Sequence, residues 1–218
     1  MFIGHFALGF AAKRAAPRLS LATLFAAAQL ADLMWPLLVA VGIEQVRIAP
    51  GITAFTSLDF VSYPYSHSLL MLCIWGVLFG LLCAFATGGR RAFIVVAALV
   101  VSHWLLDWIT HRPDMPLYPG GAKLGLGLWN SVAATITVET VMFAAGVWIY
   151  ARITRPRDSI GRNALPAFAG FLLVAYLAAG IGPPPPSINA VVVTGTAGAA
   201  VILLWAWWLD RHRSTVPS

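Results

Sequence analysis

The sequence predicts an all-α protein, a polytopic membrane bundle with about six full spans and a short N-terminal helical segment. Hydrophobic residues make up 60% of the 218 residues, only 10% are charged, and the mean hydropathy is +0.82. Soluble globular chains carry about 25% charged residues. Most of the apolar residues fall into runs of about 20, the length that crosses a bilayer core as a helix. We therefore treat residues 1–218 as a single membrane domain.

Charged, glycine-rich or proline-rich linkers separate these runs. "TGGRR" follows one run and "GPPPPS" follows another. The N-terminal segment would be about 17 Å long as a helix, too short for a core of roughly 30 Å, so we expect it to extend through "AAKRAA" or to enter from one side. The predicted segments are the short residues 2–12 and the spans 19–42, 66–87, 92–110, 128–151, 164–181 and 188–209.

Basic residues indicate the orientation in the membrane. When Lys and Arg are assigned to alternate sides of the spans, eleven lie on one side and three, Arg47, Arg112 and Lys123, on the other. Because basic loops stay in the cytoplasm, we expect a multi-pass protein of the bacterial inner membrane with a cytoplasmic C terminus. Loops 43–65 and 111–127 then face outward.

The distribution of charge also bears on partners and processing. The net charge of +6 comes from short clusters between apolar runs rather than from a basic patch with interleaved aromatics. We therefore expect the lipid bilayer as a partner and no nucleic acid. The first basic cluster follows the first apolar segment instead of preceding it, so no cleaved leader is expected. Cys73 and Cys83 lie roughly 15 Å apart on one predicted helix, too far for a disulfide.

The segment "SHWLLDWITH" carries polar residues at a spacing of four. Residues four apart lie on one face of a helix, so His103, Asp107 and His111 form a polar stripe. We expect the stripe to face other protein rather than lipid. His111 follows the predicted end of the span, and we expect it to be solvated together with Arg112 and Asp114.

Asp32, His67, His103 and Asp107 fall at a similar depth in the outer half of the membrane under this topology. Two neutral imidazoles and two carboxylates suit a divalent metal, Zn²⁺, or Mn²⁺ where carboxylates and water dominate. An ion with an open position would lower the pKa of its bound water toward about 7 and supply the nucleophile for hydrolysis. The same residues also permit a His103–Asp107 pair that only locks two spans together, and a helix start at His67 capped by Ser66.

Two further ionisable residues lie in or beside apolar runs. His5 lies near the N terminus, where a histidine is more often interfacial than a metal ligand. Glu139, in the middle of "TITVETVMF", needs a partner inside the membrane. A role behind the metal ligands and a role in a proton relay are both open for it.

Three segments together resemble a known family. They are the N-terminal "GH" (4–5), the central "SHSLL" (66–70) and "SHWLLDWITHRPDMPLYP" (102–119). In this order they are similar to the YdjM-like family of bacterial inner-membrane proteins, described as metal-dependent hydrolases. That family shows an early Gly-His, a Pro-Asp-x-Asp-His segment, a Thr-His-Ser-Leu segment, and a His-x-x-x-Asp segment before a loop and a proline. The resemblance covers about residues 1–120.

The resemblance implies a helical fold related to the phospholipase C and P1 nuclease group, whose members cleave phosphoesters with metal clusters. After Asp32 the chain departs from the pattern, because Met34 and Trp35 stand where the family has the second Asp and the His. This departure implies fewer ions than in the family, or a site that keeps its shape without catalysis. Residues 121–218, which include Glu139, lie outside the resemblance. Carried over residue by residue, the metal ligands are His5, Asp32, His67, His103 and Asp107.

These observations predict a membrane-bound metal-dependent hydrolase. It would act at the outer face on a phosphoester or related bond of a lipid or envelope-derived substrate, with a metal-bound water as nucleophile. A second hypothesis is a small transporter or permease, although no internal repeat of transporter type is visible. A third is a non-catalytic membrane scaffold derived from the enzyme. The transporter would use the intramembrane groups Asp32, His103, Asp107 and Glu139 to bind an ion or pass protons.

Overall fold

The computed structural model describes residues 1–87 and 89–216, and within them the chain forms a helical bundle, as predicted. Three two-stranded antiparallel sheets, each pairing two strands that follow one another in strand order, lie in the connections between helices and in the segment after the last helix. The helices are α1 (Ile3–Ala15), α2 (Leu21–Ala28), α3 (Leu30–Ala40), α4 (Leu69–Thr87), α5 (Arg90–Thr110), α6 (Val132–Ile153), α7 (Ser159–Ile181) and α8 (Ile188–Arg211). The strands are β1 (Gln45–Ile48), β2 (Leu58–Ser62), β3 (Met115–Pro116), β4 (Lys123–Leu124), β5 (Thr154–Pro156) and β6 (Arg213–Thr215).

Five helices, α4 to α8, are long and apolar enough to cross a membrane, and they correspond to the last five predicted spans. Large apolar side chains on α4 point outward, where a bilayer would cover them: Leu82 and Phe85 are 63% and 84% exposed. Helix α7 begins at Ser159, before the predicted start at residue 164. The reason is a cap, because the Asp158 side chain accepts a 2.8 Å hydrogen bond from the Gly161 amide.

The predicted span 19–42 is broken into two helices. Helices α2 and α3 meet at Gln29 with a bend of 60°, and together they are apolar enough to count as one broken span. Gln29 lies between them with φ −110° and ψ 13°, outside the helical region. Irregular backbone at membrane depth is tolerated only where protein or a cavity surrounds it. Here the break lies against α5, which carries the polar stripe.

The N-terminal segment extends to Ala15 as helix α1, longer than residues 2–12. Its length of about 20 Å is still less than a bilayer core, and protein encloses it. Phe10 packs against Phe25, Phe143 and Tyr150. On the facing helix α6, a Cβ atom added to Gly146 would come within 2.4 Å of the α1 backbone. This close approach fixes α1, and with it His5, inside the bundle.

The two predicted outer loops cover one end of the bundle. Strands β1 and β2 form a hairpin whose Phe60 ring lies 5.3 Å from the Trp35 ring and 5.0 Å from the His111 ring. The Phe55 amide, in the hairpin turn, donates a 3.0 Å hydrogen bond to the Trp129 carbonyl. These aromatic contacts form a roof over the end of α5, where the polar stripe lies.

Candidate metal centre

The structure brings the five predicted ligands together under this roof. Helices α1 and α5 supply His5, His103 and Asp107, α3 supplies Asp32, and the segment before α4 supplies His67. All except Asp32 are at least 98% buried. Groups drawn from four separate segments therefore converge on one point.

Asp107 is at the centre of the cluster. Its Oδ1 lies 3.0 Å from His5 Nε2, and its Oδ2 lies 3.1 Å from His103 Nε2 and 3.9 Å from His67 Nε2. The α-amino group of Met1 also contacts this carboxylate. Asp32 is the second carboxylate that faces these histidines, with its Oδ1 3.4 Å from His67 Nε2 and 3.9 Å from His103 Nε2.

The break between α2 and α3 orients His103. In a continuous helix the Ala28 carbonyl would accept a bond from the amide four residues later. At the break it accepts a 2.8 Å hydrogen bond from His103 Nδ1 instead. Since a carbonyl can only accept, Nδ1 carries the proton. His103 Nε2 faces Asp107, and among the described residues it has no partner with hydrogen-bond geometry.

A buried relay orients His67 in the same way. Glu44 accepts 2.9 Å hydrogen bonds from the amides of Tyr65 and Ser66 and a further bond from the Ser66 hydroxyl. With its own proton committed to Glu44, Ser66 Oγ accepts from His67 Nδ1 at 2.7 Å. His67 Nε2 is left facing Asp32 and Asp107. Ser66 is therefore part of this relay, and Ser68 Oγ instead accepts from the Met71 amide in the first turn of α4.

His111 is buried, and the expectation that it is solvated was wrong. It is 2% exposed because the loop after α5 folds back under the β1–β2 hairpin, and Asp114 is buried with it. Asp114 Oδ1 accepts from His111 Nδ1 and from the Tyr63 hydroxyl, both at 2.9 Å. His111 Nε2 consequently points toward Asp107, 3.9 Å from its Oδ2. The expected polar stripe thus keeps all three members.

Two pKa shifts accompany this arrangement. Burial lowers the pKa of His111 from its ordinary value, which favours the neutral imidazole. Burial alone would raise the pKa of Asp114, but hydrogen bonds from His111, Tyr63 and Arg112 hold it below its ordinary value. A neutral histidine backed by an ionised carboxylate is the state that offers a lone pair at Nε2.

The same hydrogen-bonding arrangement therefore occurs at His67, His103 and His111. In each, an outer acceptor holds the Nδ1 proton and Nε2 faces a carboxylate. Two sets of donor atoms lie within 4.8 Å of one another, namely those of His5, His103 and Asp107 and those of Asp32, His67 and His103. With bonds of about 2.0–2.2 Å in tetrahedral geometry, the N and O ligand atoms around one Zn²⁺ lie roughly 3.3–3.6 Å from one another. The buried His and Asp groups could thus hold a metal ion after small side-chain movements. His103 is common to both sets.

His5 and Glu139 connect the centre to helix α1. The His5 ring stacks on the His103 ring, with centroids 3.8 Å apart and an angle of 4° between the planes. Glu139 Oε2 accepts from the Phe2 and Gly4 amides at 2.8 and 3.2 Å, so this carboxylate caps the start of α1. Its Oε1 has no hydrogen-bond partner among the described residues. Glu139 therefore positions the helix that carries His5.

Sequence reasoning missed four residues that support the centre. Glu44 and Tyr63 lie in the predicted outer loop 43–65, and His111 and Asp114 lie just past a predicted span end. One signal was available, because His111 continues the four-residue spacing of the stripe. For Glu44 no local pattern exists, since 22 residues separate it from its partner Ser66.

Comparison of the chain with protein-family models, with curated proteins and with solved structures finds no match. The resemblance to the YdjM-like family accordingly stays a prediction.

Proposed function

We propose that this protein is a membrane-embedded, divalent-metal-dependent hydrolase that cleaves a phosphoester or related bond of a lipid or envelope-derived substrate. One observation carries the proposal. Three buried histidines have their Nδ1 protons held by outer acceptors, and their Nε2 atoms face Asp107. Outer acceptors of this kind are typical of metal-ligating histidines, because they fix the tautomer and orient the ring.

The donor set favours Zn²⁺ over Mn²⁺. Imidazole nitrogens outnumber carboxylates around Asp107, and nitrogen-rich sites suit zinc, whereas manganese prefers carboxylate and water. Asp32 is the most accessible member, with 39% of its side chain exposed to the adjoining cavity. We expect the buried histidines to hold the ion and Asp32 to face the substrate.

The residues around the centre have separate roles in hydrolysis. A divalent ion held here would supply a nucleophile near neutral pH by lowering the pKa of a coordinated water. Glu139 lines the same cavity as Asp107, and its Oε1 has no hydrogen-bond partner among the described residues, so this carboxylate can accept a proton or return one to a leaving group. The aromatic roof of Phe60 and Trp129 limits access of bulk water, which strengthens the electrostatic interactions inside.

Metal content tests the proposal. Purified protein should contain bound Zn or Mn in stoichiometric amount, and His103→Ala and Asp107→Asn should lose it. His212→Ala is the matched control, because His212 also pairs with an aspartate, Asp158, but at the other end of the bundle. Wild-type protein without metal, or His103→Ala with unchanged content, would contradict the proposal. Ion uptake into proteoliposomes that depends on Glu139 and not on His67 would favour the transporter.

We further propose that the centre faces the outer side of the bacterial inner membrane and that the C terminus is cytoplasmic. The charge bias supports this orientation, because eleven basic residues lie on the proposed cytoplasmic side and three on the other. In a background of Cys73→Ala and Cys83→Ala, an impermeant maleimide should label Lys123→Cys in intact spheroplasts. Arg157→Cys should react only after permeabilisation, and the reverse pattern would overturn the orientation.

A further inference from the structure

The candidate metal centre opens into a cavity of about 470 Å³ that extends well beyond it. Asp32, His67, Asp107 and His111 line one end. From there the cavity runs between α3, α7 and α8, where its walls are apolar. We call this extension the apolar arm and define it by Ala175 and Ala179 of α7 and Thr194, Gly195, Gly198 and Ala199 of α8.

The apolar arm reaches the outer surface of the bundle sideways, between two membrane-spanning helices. Ala179, Thr194 and Gly195 line the cavity and are also exposed on the surface. Small residues at these positions leave the space between α7 and α8 unfilled. A Cβ atom added to Gly198 would meet no atom within 4 Å. A lipid chain could therefore enter this opening from the bilayer.

Unpartnered polar groups mark where the apolar arm meets the metal centre. Trp35 and Trp129, each with an indole N–H donor, and Tyr176, with a hydroxyl donor, line the cavity and are at least 91% buried as residues. None of these three donors has a hydrogen-bond partner among the described residues. Buried donors without partners are costly, and donors at the end of a mostly apolar pocket typically orient a ligand. An oxygen-rich, anionic headgroup would accept hydrogen bonds from all three donors.

We propose that the apolar arm binds the hydrocarbon chain of a lipid phosphate, whose phosphate group lies at the metal centre between the three donors. The inference rests on the proposed hydrolase and names its substrate class. A cavity of this volume holds a ligand of about drug size, which corresponds to a headgroup with one chain. The substrate is accordingly a single-chain lipid phosphate that reaches the centre from within the membrane.

A photoaffinity probe tests this inference without requiring turnover. The probe is a long-chain alkyl phosphonate with a diazirine near the end of its chain, which cannot be hydrolysed at the carbon–phosphorus bond. It is added to protein in lipid nanodiscs, and the crosslinked residues are mapped by mass spectrometry. We expect crosslinks on the facing surfaces of α7 and α8, around Ala175 and Ala199.

The variant Gly198→Leu should fill the apolar arm, because its side chain extends into open space. Labelling of α7 and α8 should fall about tenfold, the loss expected when roughly two buried methylene groups are displaced. Gly170→Leu is the matched control: Gly170 also has nothing within 4 Å of an added Cβ atom, but it does not line the cavity. Its labelling should equal that of wild type.

Two results would overturn the inference. One is labelling of Gly198→Leu equal to that of Gly170→Leu, and the other is crosslinks spread along the lipid-facing side of α4. Failure of the hydrolase proposal is detected separately by metal content. If the protein holds no metal but the probe still labels α7 and α8 in a Gly198-dependent way, the lipid site stands and the hydrolase proposal falls.

Discussion

His103 Nε2 lies 3.1 Å from Asp107 Oδ2, while the Nδ1 proton of the same ring is bound by the Ala28 carbonyl. Both facing atoms carry lone pairs, so they repel unless a cation lies between them. A proton would make the pair an ordinary buried ion pair, and a metal ion would make it part of a metal centre. His67 and His111 repeat the orientation at a longer distance, with Nε2 3.9 Å from Asp107 Oδ2, and this recurrence is the basis for proposing a metal.

The role of His111 is open to a direct test. If its Nε2 contributes to the centre, His111→Ala should weaken metal binding at least about tenfold, as loss of a ligand or its support does in other sites. The matched variant is His212→Ala. Competition with a chelator of known affinity measures the effect. Equal affinities for the two variants would make His111 a purely structural residue beneath the hairpin.

Glu44 should influence the metal without touching it. Glu44→Gln weakens the acceptor for the Ser66 hydroxyl and so loosens the orientation of His67, which we expect to lower metal affinity about 10-fold to 100-fold. Asp158→Asn serves as control, because Asp158 also accepts from a backbone amide and pairs with a histidine. If Glu44→Gln binds the metal as tightly as Asp158→Asn does, the relay from Glu44 through Ser66 to His67 does not support metal binding.

Two substitutions of Glu139 should separate its structural role from its chemical role. Glu139→Ala removes the cap from α1 and should destabilise the protein by about 1–2 kcal/mol. Glu139→Gln keeps an acceptor for the Phe2 and Gly4 amides but cannot accept a proton, so stability should be kept while phosphoester turnover falls. Thermal unfolding in detergent and initial rates measure the two effects. Full activity of Glu139→Gln would exclude proton transfer by this residue.

The packing of α1 against α6 makes a prediction about stability. A Cβ atom at Gly146 would come within 2.4 Å of the Ala7 carbonyl oxygen, and that backbone cannot move without shifting His5. We therefore expect Gly146→Ala to destabilise the protein by about 1–3 kcal/mol and to lower metal affinity as well. Gly170→Ala, with open space around it, should change stability by less than about 0.5 kcal/mol. Equal unfolding midpoints for Gly146→Ala and Gly170→Ala would show that α1 can shift away from α6 at little cost in stability.

Short-range patterns explain what was predictable about the centre. The spacing of His103 and Asp107 follows from helix geometry, and the charge bias assigns Asp32 and His67 a similar depth. Those two arguments predict that residues of separate segments lie close in space, namely Asp32, His67, His103 and Asp107. They failed for His111, because it follows the predicted span end and was therefore expected to be solvated although the four-residue spacing includes it. They failed for Glu44 because a loop residue has no periodicity to reveal its partner.

By itself, the sequence determined the helical membrane fold, since runs of about 20 apolar residues and an excess of basic residues on one side are local properties of the chain. Only the tertiary structure decided the protonation pattern and the shape of the site. The break at Gln29 frees the Ala28 carbonyl for His103, the hairpin buries His111, and the gap between α7 and α8 opens the apolar arm. Each depends on contacts between residues far apart in the chain, and these contacts form only when the helices pack.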